Sequence, residues 1–550
     1  MKPNTLYFGD NLTVLREHFA DESVDLVYLD PPFNSKRDYN YVYRSVATDD
    51  DTAQVQAFAD TWSFEGASQA FYEVTGMNEP VAKLLEGLRQ ASGDTPLLGY
   101  LSVMALRLRE LHRVLKPTGT LYLHCDPTAS HYLKLVLDTI FGAERYLNEI
   151  TWKRTSSHND SRRRFGWVND TILVYARGSE HVFNVQHIPY SQEYLDTFYV
   201  HQDPDGRRWR RDNLRSPNPR PNLVYDYTAS NGRTYKPHPN GWACTRERLE
   251  ELDRRGRLHF PAKEGGRIQL KRYLDEMPGQ PAPCVWDDIK PIHALTSERL
   301  GYPTQKPLAL LERIIAASSN EDDLVLDPFC GCGTAVVAAQ KLGRRWVGID
   351  ITTLAVALIK RRLLEHFPAA FPTADSIPVE GFPADVAGAR VLAETGRYAF
   401  QFWTLTLVGA SPAGGKMKKG ADKGIDGEFS WRDASDDLCR GLVSVKSGHV
   451  MANHVRDLVG TMQREKAELG IFVTLEEPSE PMRTEAAGAG RYSIPGIPKD
   501  FPRVQILTVE DLLSGKDPDV PRWRLNPFKQ AQEIARAKQV VLDMDADSDE

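Results

Sequence analysis

A chain of 550 residues, 41% apolar and 26% charged, is too long for a single hydrophobic core and too polar for a membrane protein, so several folded units are expected. The formal charge of −7 excludes a uniformly basic coat, although an average of this kind can conceal a local basic patch. Six scattered cysteines, at 125, 244, 284, 330, 332 and 439, suit reduced thiols, and the lack of an apolar span or leader points to the cytoplasm.

From Leu6 to about Ile150, short apolar strands alternate with helices, as in a doubly wound α/β layer. The run Leu26–Leu29 closes on Asp30-Pro31-Pro32-Phe33. The prolines lack N–H groups and end the ladder, leaving nearby carbonyls free to face a ligand. The Asp30 carboxylate and one such carbonyl can accept both protons of a planar NH2 group while Phe33 stacks on its ring. A plain strand-terminating turn is the bland alternative. Further on, the spacing predicts an amphipathic helix over 101–115, a turn at Lys116–Gly119 and a buried strand over 120–124.

Residues 151–291 lose this periodicity and gain Pro, Gly, Arg and Asn, so they are predicted to be an insertion. Between Thr151 and Arg220 twelve Lys and Arg face eight Asp and Glu. The arginines cluster as Arg162-Arg163-Arg164 and as Arg207, Arg208, Arg210 and Arg211, with Trp167 and Trp209 among them. A solvated loop would explain the charge, but clustered Arg beside aromatics fits a phosphate-tracking surface better.

Regular α/β character returns over 292–366, with a helix at 308–318 and strands at 324–326 and 346–349. Asp327-Pro328-Phe329-Cys330-Gly331-Cys332-Gly333-Thr334 follows the first strand and precedes an apolar helix start. Gly331 and Gly333 permit close backbone approach, and Thr334 is placed to cap the helix. Asp350, about twenty residues beyond the loop, suits the two hydroxyls of a ribose. Asp327 would repel a dinucleotide pyrophosphate but suits the amino end of a zwitterionic nucleoside, which favours S-adenosylmethionine over NAD. Cys330-Gly331-Cys332 reads as half a metal site at most, because no His or Cys cluster completes it.

The Pro-rich stretch 367–387 is a predicted linker, and 388–520 a further α/β unit. There Gly424-Ile425-Asp426-Gly427 is followed by the predicted strand Gly441–Lys446. The tail, 521–550, ends in acidic residues and is expected to be disordered there.

Asp30–Phe33, the block Glu298–Leu308 and Asp327–Thr334 closely resemble the DNA amino-methyltransferases of the N4-cytosine/N6-adenine group, in the circularly permuted β-class order. The resemblance covers roughly residues 1–365. It implies a Rossmann-like S-adenosylmethionine-dependent methyltransferase whose catalytic half is 1–150, whose cofactor-binding half is 292–366 and whose target-recognition region is the insertion 151–291. It further implies that Asp30, Pro31, Pro32 and Phe33 are catalytic. Asp327, Phe329, Gly331, Gly333, Thr334 and Asp350 contact the cofactor in this reading, Thr304 and Lys306 line its methionine end, and Asp10 lies near its adenine. Double-stranded DNA is the expected substrate, bound partly through the arginine clusters. A homodimer or a restriction-system partner is a candidate assembly, and no membrane is involved. An Asp opening the first motif favours adenine N6 over cytosine N4, although the geometry suits either amine.

The C-terminal unit resembles the Mrr-like branch of PD-(D/E)xK restriction endonucleases, with Asp426 and Lys446 at the nuclease positions and Asp426 as a ligand for Mg²⁺. Ser444 departs from the pattern, standing where Glu or Gln is expected, with Glu428 as a substitute ligand. The rival readings are an Mg²⁺-dependent endonuclease with a fused modification domain, and a non-catalytic DNA-binding protein.

Overall fold

The computed structural model describes residues 2–32, 38–44, 52–59, 63–155, 165–263, 265–293, 296, 298–300, 302, 304–412, 425–433, 438–494 and 498–521. Phe33, Arg162, Arg163, Arg164 and the acidic tail lie outside them.

Among the described residues a nine-stranded sheet forms from β1 (Thr5–Phe8), β2 (Val24–Leu29), β3 (Leu115–Cys125), β4 (Tyr146–Lys153), β5 (Asn169–Ala176), β6 (Val285–Trp286), β7 (Leu324–Asp327), β8 (Arg345–Asp350) and β9 (Val379–Glu380). Its order is β6-β4-β5-β3-β2-β7-β8-β1-β9. The five strands β3-β2-β7-β8-β1 pair in parallel, while β5 runs antiparallel to both its neighbours. Helices α1 (Asn11–His18), α2 (Pro96–Val114), α3 (Leu308–Ser318) and α4 (Thr334–Lys341) pack on the sheet, giving the doubly wound arrangement read from the sequence.

Both faces of the sheet are covered, and strand alternation decides which residue goes where. Val27, Leu29, Leu326, Val347 and Ile349 join one core layer with Leu101, Leu108 and Leu137. Leu26, Tyr28, Val325 and Trp346 join the other with Leu311, Ile314 and Ile359. Two residues beyond Val325 and Gly348, the alternation brings Asp327 and Asp350 to this second face, and Asp30 directly follows β2.

Three boundaries differ from the sequence reading. The expected turn at Lys116–Gly119 lies inside β3, where pairing passes from Val24↔Leu115 to Leu26↔Thr120 and the surplus residues bulge outward. The expected insertion begins later, because β4 and β5 belong to the main sheet and the compact unit spans 185–283. The expected linker is partly built in: Val379 and Glu380 pair with Leu6 and Tyr7 as an edge strand, and Phe371 and Ile377 are buried.

The unit 185–283 carries a four-stranded sheet, Leu258–His259, Gln269–Tyr273, Arg208–Asn213 and His201–Gln202 in that order. Its core includes Leu214, Trp242, Leu249 and Ile268.

The C-terminal region builds its own sheet, β10 (Ser411–Pro412), β11 (Gly427–Arg432), β12 (Leu438–Lys446), β13 (Leu469–Thr474) and β14 (Val504–Thr508), in that order. Helices α5 (Arg397–Leu407) and α6 (Ala452–Glu465) pack beside it, α5 with the core of Trp403, Trp431 and Ile471, and α6 with that of Leu442, Leu458 and Phe472.

Candidate active site

Four adjacent strands, β2, β7, β8 and β1, run parallel and therefore end at one sheet edge. In open α/β sheets this edge, beyond the carboxyl ends of the strands, is where ligands bind. A cavity of ≈ 350 Å³ opens there, lined by Asp10, Asp30, Pro31, Pro32, Thr304, Lys306, Asp327, Phe329, Gly331, Thr334 and Asp350 among others. Residues some three hundred positions apart thus share one chamber, with a volume in the range of small-molecule sites.

The loop after β7 is shaped by two glycines. Gly331 holds φ +47°, and its N–H donates to Asp350 Oδ2 at 2.9 Å; an added Cβ would press on the Tyr302 ring at 3.2 Å. Gly333 holds φ +75° and is itself the N-cap of α4. Thr334 therefore starts the helix instead of capping it, as the sequence reading had it. Its hydroxyl, 6% exposed as a residue, accepts from Arg362 at 3.3 Å. The left-handed turn that only glycine adopts without strain moves the cap back by one residue.

Two carboxylates in the chamber differ from ordinary ones. Burial pushes Asp327 well above the usual range, against one hydrogen bond from the Phe329 N–H and the nearby Lys306 cation. Burial also pushes Asp350 up to about 6, against hydrogen bonds from Thr352 and from Gly331. Thr352 donates to Asp350 Oδ1 from both its N–H and its hydroxyl, each at 2.8 Å, which aims the carboxylate at the chamber.

Asp10 caps α1, accepting from the Leu12 and Thr13 N–H groups, and pairs with Arg107 of α2 at 2.5 Å. Arg107 also donates to Asn11 Oδ1, and Asn11 donates to the Pro328 carbonyl at 2.7 Å. Arg107 and Asn11 thereby tie the N-terminal element to the glycine loop. The sequence reading gave Asn11 no role beside Asp10 and missed Arg107, which carried no local signal because its partners lie 96 and 97 residues away.

At the other end, Asp30 is held at the mouth of the Pro31-Pro32 turn. Its Oδ2 accepts from Lys306 Nζ at 2.5 Å, whereas its Oδ1 is buried with no hydrogen-bond partner among the described residues. Lys306, expected beside the cofactor tail, thus lies directly on the other reacting side as well. Thr304, a β-branched residue at φ +62°, sits in a strained conformation as part of the same wall. A buried acceptor without a donor, with three carboxylates and a glycine loop around it, fits a zwitterionic nucleoside facing an amine.

The arginine cluster at 207–211 divides. Arg207 pairs with Asp275 and Glu276 and lies over the Tyr273 ring at 3.9 Å. Arg208 donates to the Tyr199 and Leu195 carbonyls. Trp209 is buried and stacks on His201, so it belongs to the core and not to a surface platform. Arg211 is the exposed member, with Arg210 half-buried beside Tyr199. Phe165 and Trp167 are exposed.

In the C-terminal sheet, Asp426, Ser444 and Lys446 line one cavity with Arg397, Gln401 and Asp457. Asp426 accepts from the Val445 N–H at 2.7 Å, from Ser444 Oγ at 3.3 Å and from Gln401 at 2.8 Å, with Lys446 Nζ at 3.8 Å. Glu428, the expected substitute ligand, is instead paired with Arg440. Among the described residues no three His, Cys, Asp or Glu side chains converge on a metal position.

A chamber at the carboxyl ends of a parallel sheet, with a glycine loop facing a proline-turn carboxylate, is the ligand site expected of a doubly wound α/β domain. Residues 24–361 match the family model described as DNA methylase, and the chain belongs to that family. Residues 409–498 match a restriction endonuclease model. The Type II methyltransferase M.EcaI of Enterobacter cloacae is 33% identical over 264 residues, covering 48% of this chain and 57% of that one. The StyLTI Mod subunit of a Type III restriction-modification enzyme of Salmonella typhimurium is 30% identical over 359 residues, covering 62% and 50%. The DNA adenine methyltransferase YhdJ of Escherichia coli is 25% identical over 368 residues, covering 66% and 85%. The chain thus spans about half the length of the first two relatives, 57% and 50%.

Proposed function

We propose that the protein transfers a methyl group from S-adenosylmethionine to the exocyclic amine of a base flipped out of double-stranded DNA, adenine N6 in preference to cytosine N4, within a restriction-modification system. The observation that carries this reading is the meeting of Asp30 with Asp327, Asp350 and the Gly331–Gly333 loop in one chamber.

When bound, the cofactor supplies an electrophilic methyl carbon on a sulfonium. Asp350 suits the ribose hydroxyls, the loop N–H groups and Asp327 suit the amino-acid tail, and Asp10 suits the adenine side. An exocyclic amine is a weak nucleophile because its lone pair is delocalised into the ring. Asp30 Oδ1, buried and awaiting a donor, accepts one amine hydrogen, and a carbonyl of the Pro31-Pro32 turn accepts the other. Both bonds draw the nitrogen toward sp³ and aim its lone pair, so that placement and electrostatics carry the step. Phe33 is assigned the stacking role for the flipped base.

Incubating the purified chain with unmethylated plasmid DNA and radiolabelled S-adenosylmethionine, followed by mass spectrometry of the nucleosides, tests this. Label in N6-methyladenine, lost by at least about 100-fold in Asp30→Ala with cofactor affinity retained, is expected. Equal loss of transfer and cofactor binding would overturn the assignment of Asp30, and label in N4-methylcytosine would overturn the base.

For the C-terminal unit the endonuclease match favours contact with DNA. We assign it a DNA-docking role. Mg²⁺-dependent cutting that Asp426→Ala abolishes would refute that.

A further inference from the structure

In the unit 185–283, Leu258 and Leu270 point into the core, so alternation puts Gln269 and Lys271 on the opposite face of the sheet. There the antiparallel register sets Arg211 opposite Lys271 and Asn213 opposite Gln269. Continued by two residues, it sets Arg215 opposite Arg267, both exposed. Burial and then the Arg267 and Arg215 cations lower His238, which places the two guanidinium groups around one imidazole. The face thus carries a stripe of three cross-strand pairs, cationic at both ends and carboxamide in the middle.

Like charges directly opposite each other destabilise a sheet. Other arginines of the unit are matched by acids, Arg207 by Asp275 and Glu276, Arg257 by Glu276 and Arg272 by Asp212. On the stripe Lys271 has Asp203 at 2.9 Å, whereas Arg211, Arg215 and Arg267 make no ion pair among the described residues. Unanswered charge of one sign suits an anionic ligand of matching spacing. Arg211 and Arg215 lie four residues apart on an extended chain, which spans about 13 Å at roughly 3.3 Å per residue. The major groove of duplex DNA is about 12 Å wide and admits a two-stranded ribbon. Between the charges, Asn213 Oδ1 accepts from the Arg215 N–H at 3.2 Å, which holds the side chain and leaves its Nδ2 and a second lone pair uncommitted. Asn213 is exposed and Gln269, its cross-strand neighbour, partly so.

Resting on duplex DNA as the methylated substrate, as read above, we propose that the ribbon of Arg208–Asn213 and Gln269–Tyr273 enters the major groove and that Asn213 and Gln269 determine which sequence is methylated. Adenine offers the groove an N7 acceptor and an N6 donor, and a carboxamide meets both with one N–H and one carbonyl. The two amides read adenines in base pairs neighbouring the target base. The cations at either end contact the phosphates of the two groove walls, which fixes the register of the ribbon and carries no sequence information. Asn213 and Gln269 are specificity residues and touch neither the cofactor nor the reacting atoms.

The test incubates the full chain and S-adenosylmethionine with duplexes of randomised sequence, and sequences the bound and the methylated molecules separately. Wild type should enrich one site containing A·T pairs in both populations. Asn213→Ala and Gln269→Ala, which remove side chains outside the core, should each relax one A·T position, lowering discrimination there by about 10-fold or more while the other positions keep theirs. Arg267→Ala should weaken binding to all sequences alike and reduce the slope of log affinity against log salt by about 0.9. Unchanged discrimination in both amide variants, or relaxation at a G·C pair, would overturn the proposal. A site bound with the expected preference but never methylated would defeat the methyl-transfer reading and leave the ribbon standing. Methylation without any A·T preference would do the reverse.

Discussion

Lys306 Nζ and Asp30 Oδ2 are joined at 2.5 Å, with side chains only 9% and 15% exposed. The pair links the loop that precedes α3 to the end of β2, across 276 residues, and its cation also acts on Asp327 and Asp170. Lys306→Met removes one partner of a largely buried pair and leaves the carboxylates uncompensated. A loss of about 3 kcal/mol in unfolding free energy is expected, read from the denaturant midpoint. Lys306→Arg should recover part of it; full stability in Lys306→Met would mean that the pair is solvated in solution.

The pH dependence of cofactor binding follows from Asp350, whose carboxyl is pushed from 3.8 to about 6 by burial. Ribose hydroxyls donate to the ionised form, so affinity for S-adenosylmethionine should be full above pH 6 and fall, by up to about tenfold per unit, as pH drops below it. Calorimetry from pH 5 to 8 checks this, with Asp350→Asn expected to bind weakly and without the slope. The contribution to stability has the opposite sign. The folded value lies above the unfolded one, so the cost of burying this charge is present above pH 6 and is relieved as pH falls toward 3.8.

Gly333 sits at φ +75°, and a Cβ there would collide with the Ile359 side chain. Gly333→Ala should therefore cost about 1 to 3 kcal/mol and widen the loop, weakening cofactor binding more than DNA binding. Thermal denaturation with and without S-adenosylmethionine separates the two effects; an unshifted midpoint would show that packing against Ile359 is not what holds this turn.

The split within the arginine cluster makes two variants distinguishable. Arg211→Ala should reduce the slope of log affinity against log salt by about 0.9, as for one lost phosphate contact. Arg207→Ala, by losing Asp275 and Glu276, should lower the thermal midpoint and leave the salt slope unchanged. Identical salt slopes for Arg211→Ala and wild type would remove Arg211 from the DNA surface.

Local chemistry made much of the molecule legible. The apolar runs at Leu26–Leu29 and Leu324–Leu326, the helix at 308–318 and the glycines at 331 and 333 all announce themselves within a few residues, because strand alternation, helix periodicity and turn conformation are short-range properties. The errors fell where pairing partners are remote. A bulge in β3 looks like a turn until β2 is seen beside it, and a Pro-rich linker becomes an edge strand because β1 offers it an open ladder. Arg207 reads as a phosphate ligand until Asp275 and Glu276 are found beside it.

The sequence by itself determined the residue types of the chemistry: an acid before two prolines, an acid before a glycine loop, an acid after the next strand, and a second unit with an altered Ser444. Only the tertiary structure decided that they meet, since the order β2-β7-β8-β1 is written in hydrogen bonds between strands hundreds of residues apart. It alone also revealed the Lys306–Asp30 pair and the buried, hydrogen-bonded trio of Tyr28, His124 and Asp170. Burial makes each of those contacts matter, and burial is a property of the packed whole, which no window of neighbouring residues contains.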